Sequence, residues 1–169
     1  MARLFVAVTP PEEVLERLAA LDRPRVVGLR WTDPAQWHVT LRFLGRVDDV
    51  AAAAEAVAGF RAGPTVASLG PAVGRFGQRV LHVPVAGLDA VAAAVVAVTG
   101  HVGEPPEERP FAGHLTLARA SGRVKVDLRA LAGQPVEGSW PVEEICLVES
   151  HLSPKGARYE TLERFPLRC

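Results

Sequence analysis

At 169 residues the chain is long enough for one ordinary domain, or for two small lobes sharing a core. Its 49% hydrophobic and 22% charged residues exclude a disordered chain, and nineteen basic against nineteen acidic residues exclude bulk electrostatic capture of long nucleic acid. Any anionic ligand must therefore be held by a local cluster of donors.

"RLFVAV" (3–8) is a β-rich run and is expected to be a buried strand. In "TPPE", Thr9 suits an N-cap, Pro10 the first helical position and Glu12 a capping box; Val14, Leu15, Leu18 and Leu21 then fall at helical spacing, which predicts a helix over 10–21. A loop with Pro24, Gly28 and Pro34 leads into "HVTLRFLG", a strand ending at Gly45, and "DDVAAAAEAVAGF" (48–60) is a helix opened by an aspartate cap. "TVASLGPAVGRFG" holds a short strand and a glycine-punctuated turn. "RVLHVPV" (79–85) is a strand, "LDAVAAAVVAVTGH" (88–101) a helix, and "VGEPPEERPFAG" a proline-rich loop. "HLTLARA" is a strand, "DLRALAG" a shorter helix and "VEEICLVES" a final strong strand.

The order strand, helix, loop, motif strand, helix, strand occurs twice. A shift of 76 positions places Phe5 on Leu81, His38 on His114 and Val66 on Val142, which predicts an internal repeat over about 3–74 and 79–150 with a tail at 151–169. The expected class is α+β, with two pseudo-symmetric lobes, each an antiparallel sheet with helices outside and a cleft between them. The thiols Cys146 and Cys169 have no metal-ligand spacing, and with no signal peptide in view they point to a reducing, cytoplasmic setting. The longest apolar run, "VAAAVVAV" (91–98), is too short to span a bilayer, so no membrane partner is expected.

The chemistry lies in the repeated His-x-Thr-Leu. Strand alternation puts His38 and Thr40 on one face, with Val39 and Leu41 on the other; His114 and Thr116 are set against Leu115 and Leu117 in the same way. Two such faces meeting across a cleft supply two imidazoles, one to take a proton from an attacking oxygen and one to give a proton to a leaving oxygen. The threonine hydroxyls would donate to the charge between them. In-line displacement at phosphorus fits this arrangement, and it needs neither metal nor cofactor. Packing alone would account for the leucines but not the histidines. Arg42 has the favourable parity; Arg119 shares the parity of Leu115 and Leu117 and needs a strand end or a bulge to reach the cleft. Trp37 and Phe43 flank the first motif and Phe111 precedes the second, all suited to stacking on a base. His82, His101 and His151 match neither motif and are expected to be structural.

The segments "RLFVAV", "WHVTLRFLG", "ERPFAGHLTLAR" and "LSPKGARYETLERFPL" resemble the 2H phosphoesterase superfamily over nearly the whole chain. The resemblance is to its bacterial and archaeal 2′-5′ RNA ligase branch, also called RNA 2′,3′-cyclic phosphodiesterase. It implies hydrolysis of 2′,3′-cyclic phosphate RNA ends, such as those of tRNA fragments or small oligonucleotides, to 2′-phosphomonoesters, with slower, ATP-independent 2′-5′ joining. His38 and His114 would be the acid/base pair, and Thr40, Thr116 and Arg119 the phosphate-binding residues. Arg158 and Tyr159 would line the cleft. The resemblance leans to His114 activating the incoming oxygen and His38 protonating the leaving one. Other readings are a phosphodiesterase for small cyclic nucleotides such as ADP-ribose 1″,2″-cyclic phosphate, a non-catalytic RNA-end-binding module, and a two-histidine metal site. Nothing in the sequence requires more than a monomer.

Overall fold

The apolar run at the start forms β1 (Ala2–Val8), and the chain then turns at two prolines into α1 (Glu12–Ala19) in the computed structural model, which describes residues 1–169. The helix opens later than the spacing predicts. A residue before proline is pushed out of the α region, so Pro10 cannot be helical, and Pro11 (φ −73°, ψ 168°) is the N-cap, without a side-chain cap bond. There follow β2 (Leu29–Trp31), β3 (Val39–Val47), α2 (Val50–Ala58), β4 (Thr65–Leu69), β5 (Gly74–Phe76), β6 (Val80–Ala86) and α3 (Asp89–Thr99). The second half continues with β7 (His114–Ala120), α4 (Leu128–Leu131), β8 (Gly138–Val142), β9 (Glu144–Ser153) and β10 (Gly156–Pro166). The aspartate cap is present: Asp49 accepts from the Ala52 N–H at 3.0 Å. The tail, not assigned to an element from sequence, is β10, paired along its length with β9.

The class is α+β. All strand pairs are antiparallel, in the order β10-β9-β1-β3-β7-β6-β4-β8, with β2 also on β7 and β5 also on β6. Closing strands are exchanged: β9 lies beside β1, whereas β4 lies between β6 and β8. At its middle the path narrows to one paired position, Val39 with Leu115, where β3 meets β7. The helices pack on one face of the sheet over a core of 37 buried residues, including Val14, Leu18, Val57, Val91, Val95 and Leu128. The opposite face carries a smaller buried group, Phe5, Ala7, Cys146 and Val148, with Phe43 and Tyr159 against it. No helix is long and apolar enough to cross a membrane.

Alternation is broken at the same place in both motif strands. Val6 pairs with Arg42 and Ala7 with Thr40, which leaves Leu41 as an extra residue in β3; Leu81 pairs with Ala118 and His82 with Thr116, which leaves Leu117 extra in β7. Each bulge sends two successive residues to the helix side and inverts the parity beyond it. Arg42 is the first consequence: the parity expected from alternation is lost, although the residue still borders the cavity beside Thr40 and Phe43. It is 5% exposed, on the helix side, and donates to the carbonyls of Phe43 (2.7 Å), Thr99 (3.3 Å), Val102 (3.2 Å) and Glu104 (2.7 Å). Burial lowers its pKa from the usual value and Glu104 opposes that shift.

Arg42 therefore ties β3 to the end of α3 and the loop after it. Arg42→Met strands several buried carbonyls and is expected to lower unfolding free energy by about 3 kcal/mol. Urea denaturation measures it; a loss under about 1 kcal/mol would show that water serves those carbonyls equally well.

Candidate active site at the β3–β7 junction

The Val39–Leu115 pair determines what faces what. Both side chains are fully buried in the core, so their neighbours project to the opposite face. Because the strands run antiparallel, counting outward from that pair sets His38 towards Thr116 and Thr40 towards His114. The two motifs thus lie crosswise on one face of the sheet.

Each imidazole is held in the same way. His38 Nδ1 lies 2.7 Å from the Gln36 carbonyl and His114 Nδ1 lies 2.8 Å from the Ala112 carbonyl, in both cases two residues back. A carbonyl can only accept, so Nδ1 carries the hydrogen and donates in both rings. In the neutral ring Nε2 is then left with its lone pair. His38 Nε2 is 2.9 Å from Thr40 Oγ1 and takes the hydroxyl's hydrogen bond in the neutral ring.

The rings around them differ. His38 sits against Phe5 (4.8 Å between centroids) and edge-on to Tyr159 (5.3 Å). His114 is edge-on to Phe76 (4.8 Å) and to His82 (5.7 Å), while Phe76 and His82 stack on each other at 3.9 Å. Burial pushes His38 below the ordinary histidine pKa; the Gln36 hydrogen bond opposes this, and the charges of His114 and Arg119 lower it further. His82, 6% exposed, is pushed down to about 4, first by burial and then by His114. It is therefore a neutral ring beside His114 at ordinary pH. Its Nδ1 is buried without a partner, and a Cβ at Gly74 would press on its edge at 3.2 Å. The sequence expectation of a structural histidine thus locates His82 only coarsely. It is a wall of the site, and the signal that could have found it is its pairing with Thr116 across β6 and β7.

The bulge at Leu117 supplies what Arg119 needed. Ala118 takes the buried position and Arg119 returns to the face of His114 and Thr116, exposed, with a charge felt at His38. A cavity of about 490 Å³ opens from Thr40 and His114 between Phe43, Phe76 and Phe111. Phe43 also lies under Arg3, whose guanidinium carbon is 5.0 Å from the ring centroid. Tyr159 reaches the site through its contacts with Phe5 and His38.

Two further expectations are corrected. Trp37 is 3% exposed and belongs to the core, so it offers no face to a base. Its indole N–H donates to Thr32 Oγ1 (3.1 Å), and Thr32 hydrogen-bonds the carbonyls of Thr116 (3.0 Å) and Leu117 (2.9 Å), bracing the second motif from behind. Arg158 pairs with His151 while Tyr159 pairs with Ser150. The alternation that brings Tyr159 to the site therefore sends Arg158 to the other face. The only grouping of three metal-capable side chains, Glu149, His151 and Glu160, is on that other face and includes neither motif histidine.

His82 makes stability depend on pH. Its folded pKa of about 4 lies below the ordinary 6.5, so the unfolded chain binds the proton more tightly and stability falls as pH drops from 6.5 towards 4. Denaturant midpoints for the unaltered protein should decline over that window, and His82→Phe should flatten the decline. Identical pH slopes would place the proton elsewhere.

Known proteins carry the same architecture. The family model described as LigT like Phosphoesterase matches residues 8–70. The chain is 34% identical to the RNA 2′,3′-cyclic phosphodiesterase of Thermus thermophilus, over 98% of this chain and 90% of that protein. Among solved structures, TT0787 of Thermus thermophilus superposes with a TM-score of 0.79 at 31% identity, covering 98% of each chain. Escherichia coli LigT complexed with 3′-AMP superposes with a TM-score of 0.77 at 28% identity, again covering 98% of each. Crosswise motifs, full-length relatedness and shared fold agree: the chain belongs to the LigT-like family of 2H phosphoesterases.

Proposed function

We propose that the protein hydrolyses the 2′,3′-cyclic phosphate at the end of an RNA strand, with His38 and His114 as the acid/base pair. The observation that carries this reading is the pair of imidazoles pinned through Nδ1 to backbone carbonyls two residues back, on crosswise motifs of one sheet face. Relatives named RNA 2′,3′-cyclic phosphodiesterase supply the substrate. The phosphate would lie between the two Nε2 atoms, with the hydroxyls of Thr40 and Thr116 and the guanidinium of Arg119 on its oxygens. Water attacks phosphorus in line with the P–O3′ bond; one histidine accepts the water's proton and the other donates one to O3′ as that bond breaks, leaving a 2′-phosphomonoester and a 3′-hydroxyl. An RNA 5′-hydroxyl in place of water would give the 2′-5′ linkage, without ATP. The terminal base would occupy the cavity between Phe43 and Phe111.

The family resemblance gives the acid's role to His38. A second reading has a specific observation behind it: the free site depresses the His38 pKa, which suits the neutral base. A diester with a weakly basic phenolate leaving group separates the two, since it needs no general acid. The variant that still turns it over, His38→Ala or His114→Ala, is the one that has lost the acid.

On an RNA ending in a 2′,3′-cyclic phosphate, with products resolved as 2′- or 3′-phosphate, either histidine-to-alanine change is expected to lower kcat by about 10²–10⁴. Thr40→Ala and Thr116→Ala should cost less, and activity should survive a chelator. The pH profile should be bell-shaped, rising as the base becomes neutral and falling as the acid loses its proton. Near-normal turnover by His114→Ala would exclude the two-histidine mechanism. Binding without turnover in the unaltered protein would favour an end-binding module, and faster turnover of small cyclic nucleotides would favour the other phosphodiesterase.

A further inference from the structure

Beyond Thr116, the cleft face carries two arginines side by side. Arg30 of β2 pairs with Arg119 of β7, and their flanking pairs, Leu29 with Ala120 and Trp31 with Ala118, pack on the helix-side core. Cross-strand partners project to the same face, so Arg30 stands with Arg119 on the face of His114 and Thr116. Both are exposed, and neither belongs to an ion pair. Like charges directly opposite each other destabilise a strand pair, and no carboxylate lies within ion-pair distance of either guanidinium. Arg30 is nevertheless held in position: its Nη2 donates to the Lys155 carbonyl at 2.7 Å. The guanidinium lies over Gly156, where a Cβ would collide with it and where φ is +113°. That bond occupies one edge of the fork and leaves other donors free.

We propose that Arg30, beside Arg119, forms a second phosphate site, for the internucleotide phosphate next to the cyclic end, so that the cleft selects polynucleotide ends over cyclic mononucleotides. The proposal rests on the function proposed above. Thr116 and Arg119 are three residues apart, about 10 Å along the strand. Arg119 can thus lean back towards the reacting phosphate while Arg30, on the neighbouring strand, meets the next one. A single-stranded polyanion leaving the cleft past β2 replaces the repulsion of the two guanidinium groups with charge-assisted hydrogen bonds.

Arg30→Gln tests this, because glutamine keeps a donor for the Lys155 carbonyl and removes the charge. KM is measured for a 2′,3′-cyclic mononucleotide and for a short RNA ending in the same cyclic nucleotide. In the unaltered protein the RNA should have the lower KM, and Arg30→Gln should shrink the ratio of the two about tenfold with little change in kcat. Arg30→Lys should lie between. Binding of a labelled RNA ending in a 2′-phosphate, titrated at several salt concentrations, should lose about 0.7 from its log–log salt slope in Arg30→Gln. Equal KM values for the two substrates in the unaltered protein, or parallel losses on both in Arg30→Gln, would overturn the site and leave Arg30 as a brace for the hairpin. Salt-dependent RNA binding that needs Arg30, in a protein that turns over neither cyclic substrate, would uphold the site and reject the proposed function.

Discussion

One strand pairing organises this protein. Val39 and Leu115 meet as the only register pair between the two central strands, and both are sealed in the core. An antiparallel pair with buried partners leaves no freedom in what lies on the other side: each histidine is turned towards the threonine of the opposite motif. A slip of one residue in either strand would bury that strand's imidazole and expose its core side chain. The register is thus set by the hydrophobic effect, and the polar site inherits its geometry from apolar neighbours.

Identical anchoring and unlike surroundings then divide the two histidines. Both donate from Nδ1 to a carbonyl two residues back. His38 is enclosed by a phenyl and a phenol, whereas the rings beside His114 include a second imidazole kept neutral by burial. The proposed acid/base pair needs two chemically identical groups to work in opposite protonation states, and the difference between them comes from the neighbours rather than from the motif.

Much of this was legible in the sequence. The two motif strands, β1, β4, β6, β9 and the four helices follow from periodicity and spacing, whereas the short strands β2 and β5, and β8, do not. Nor does side-chain direction past the motifs, because the bulges at Leu41 and Leu117 invert the alternation on which that inference rests. The same device returns Arg119 to the face of His114 and draws the Arg42 side chain to the helix side. A further shift, between Thr161 and Glu163, breaks the pattern of β10 and hides an eleven-residue strand in an apparently irregular tail. Trp37 looks like a stacking platform beside the first His-x-Thr motif, yet its indole completes the core. His82 and Arg30 enter through cross-strand pairs with Thr116 and Arg119, which link residues 34 and 89 positions apart in the chain.

The exchange of closing strands has a consequence for how the molecule is made. Of the strands completed by residue 69, β1 and β3 pair with each other, but β2 and β4 find partners only in β6, β7 and β8. β1 likewise waits for β9 to cover its outer edge. A nascent chain that has emerged only this far holds unpaired edges and an unfinished sheet, however well its helices form. Folding must therefore be a late, concerted event dominated by contacts distant in sequence, the condition under which chains fold slowly. Neither half of the sequence is an autonomous folding unit, and the ribosome must deliver nearly the whole chain before either can close.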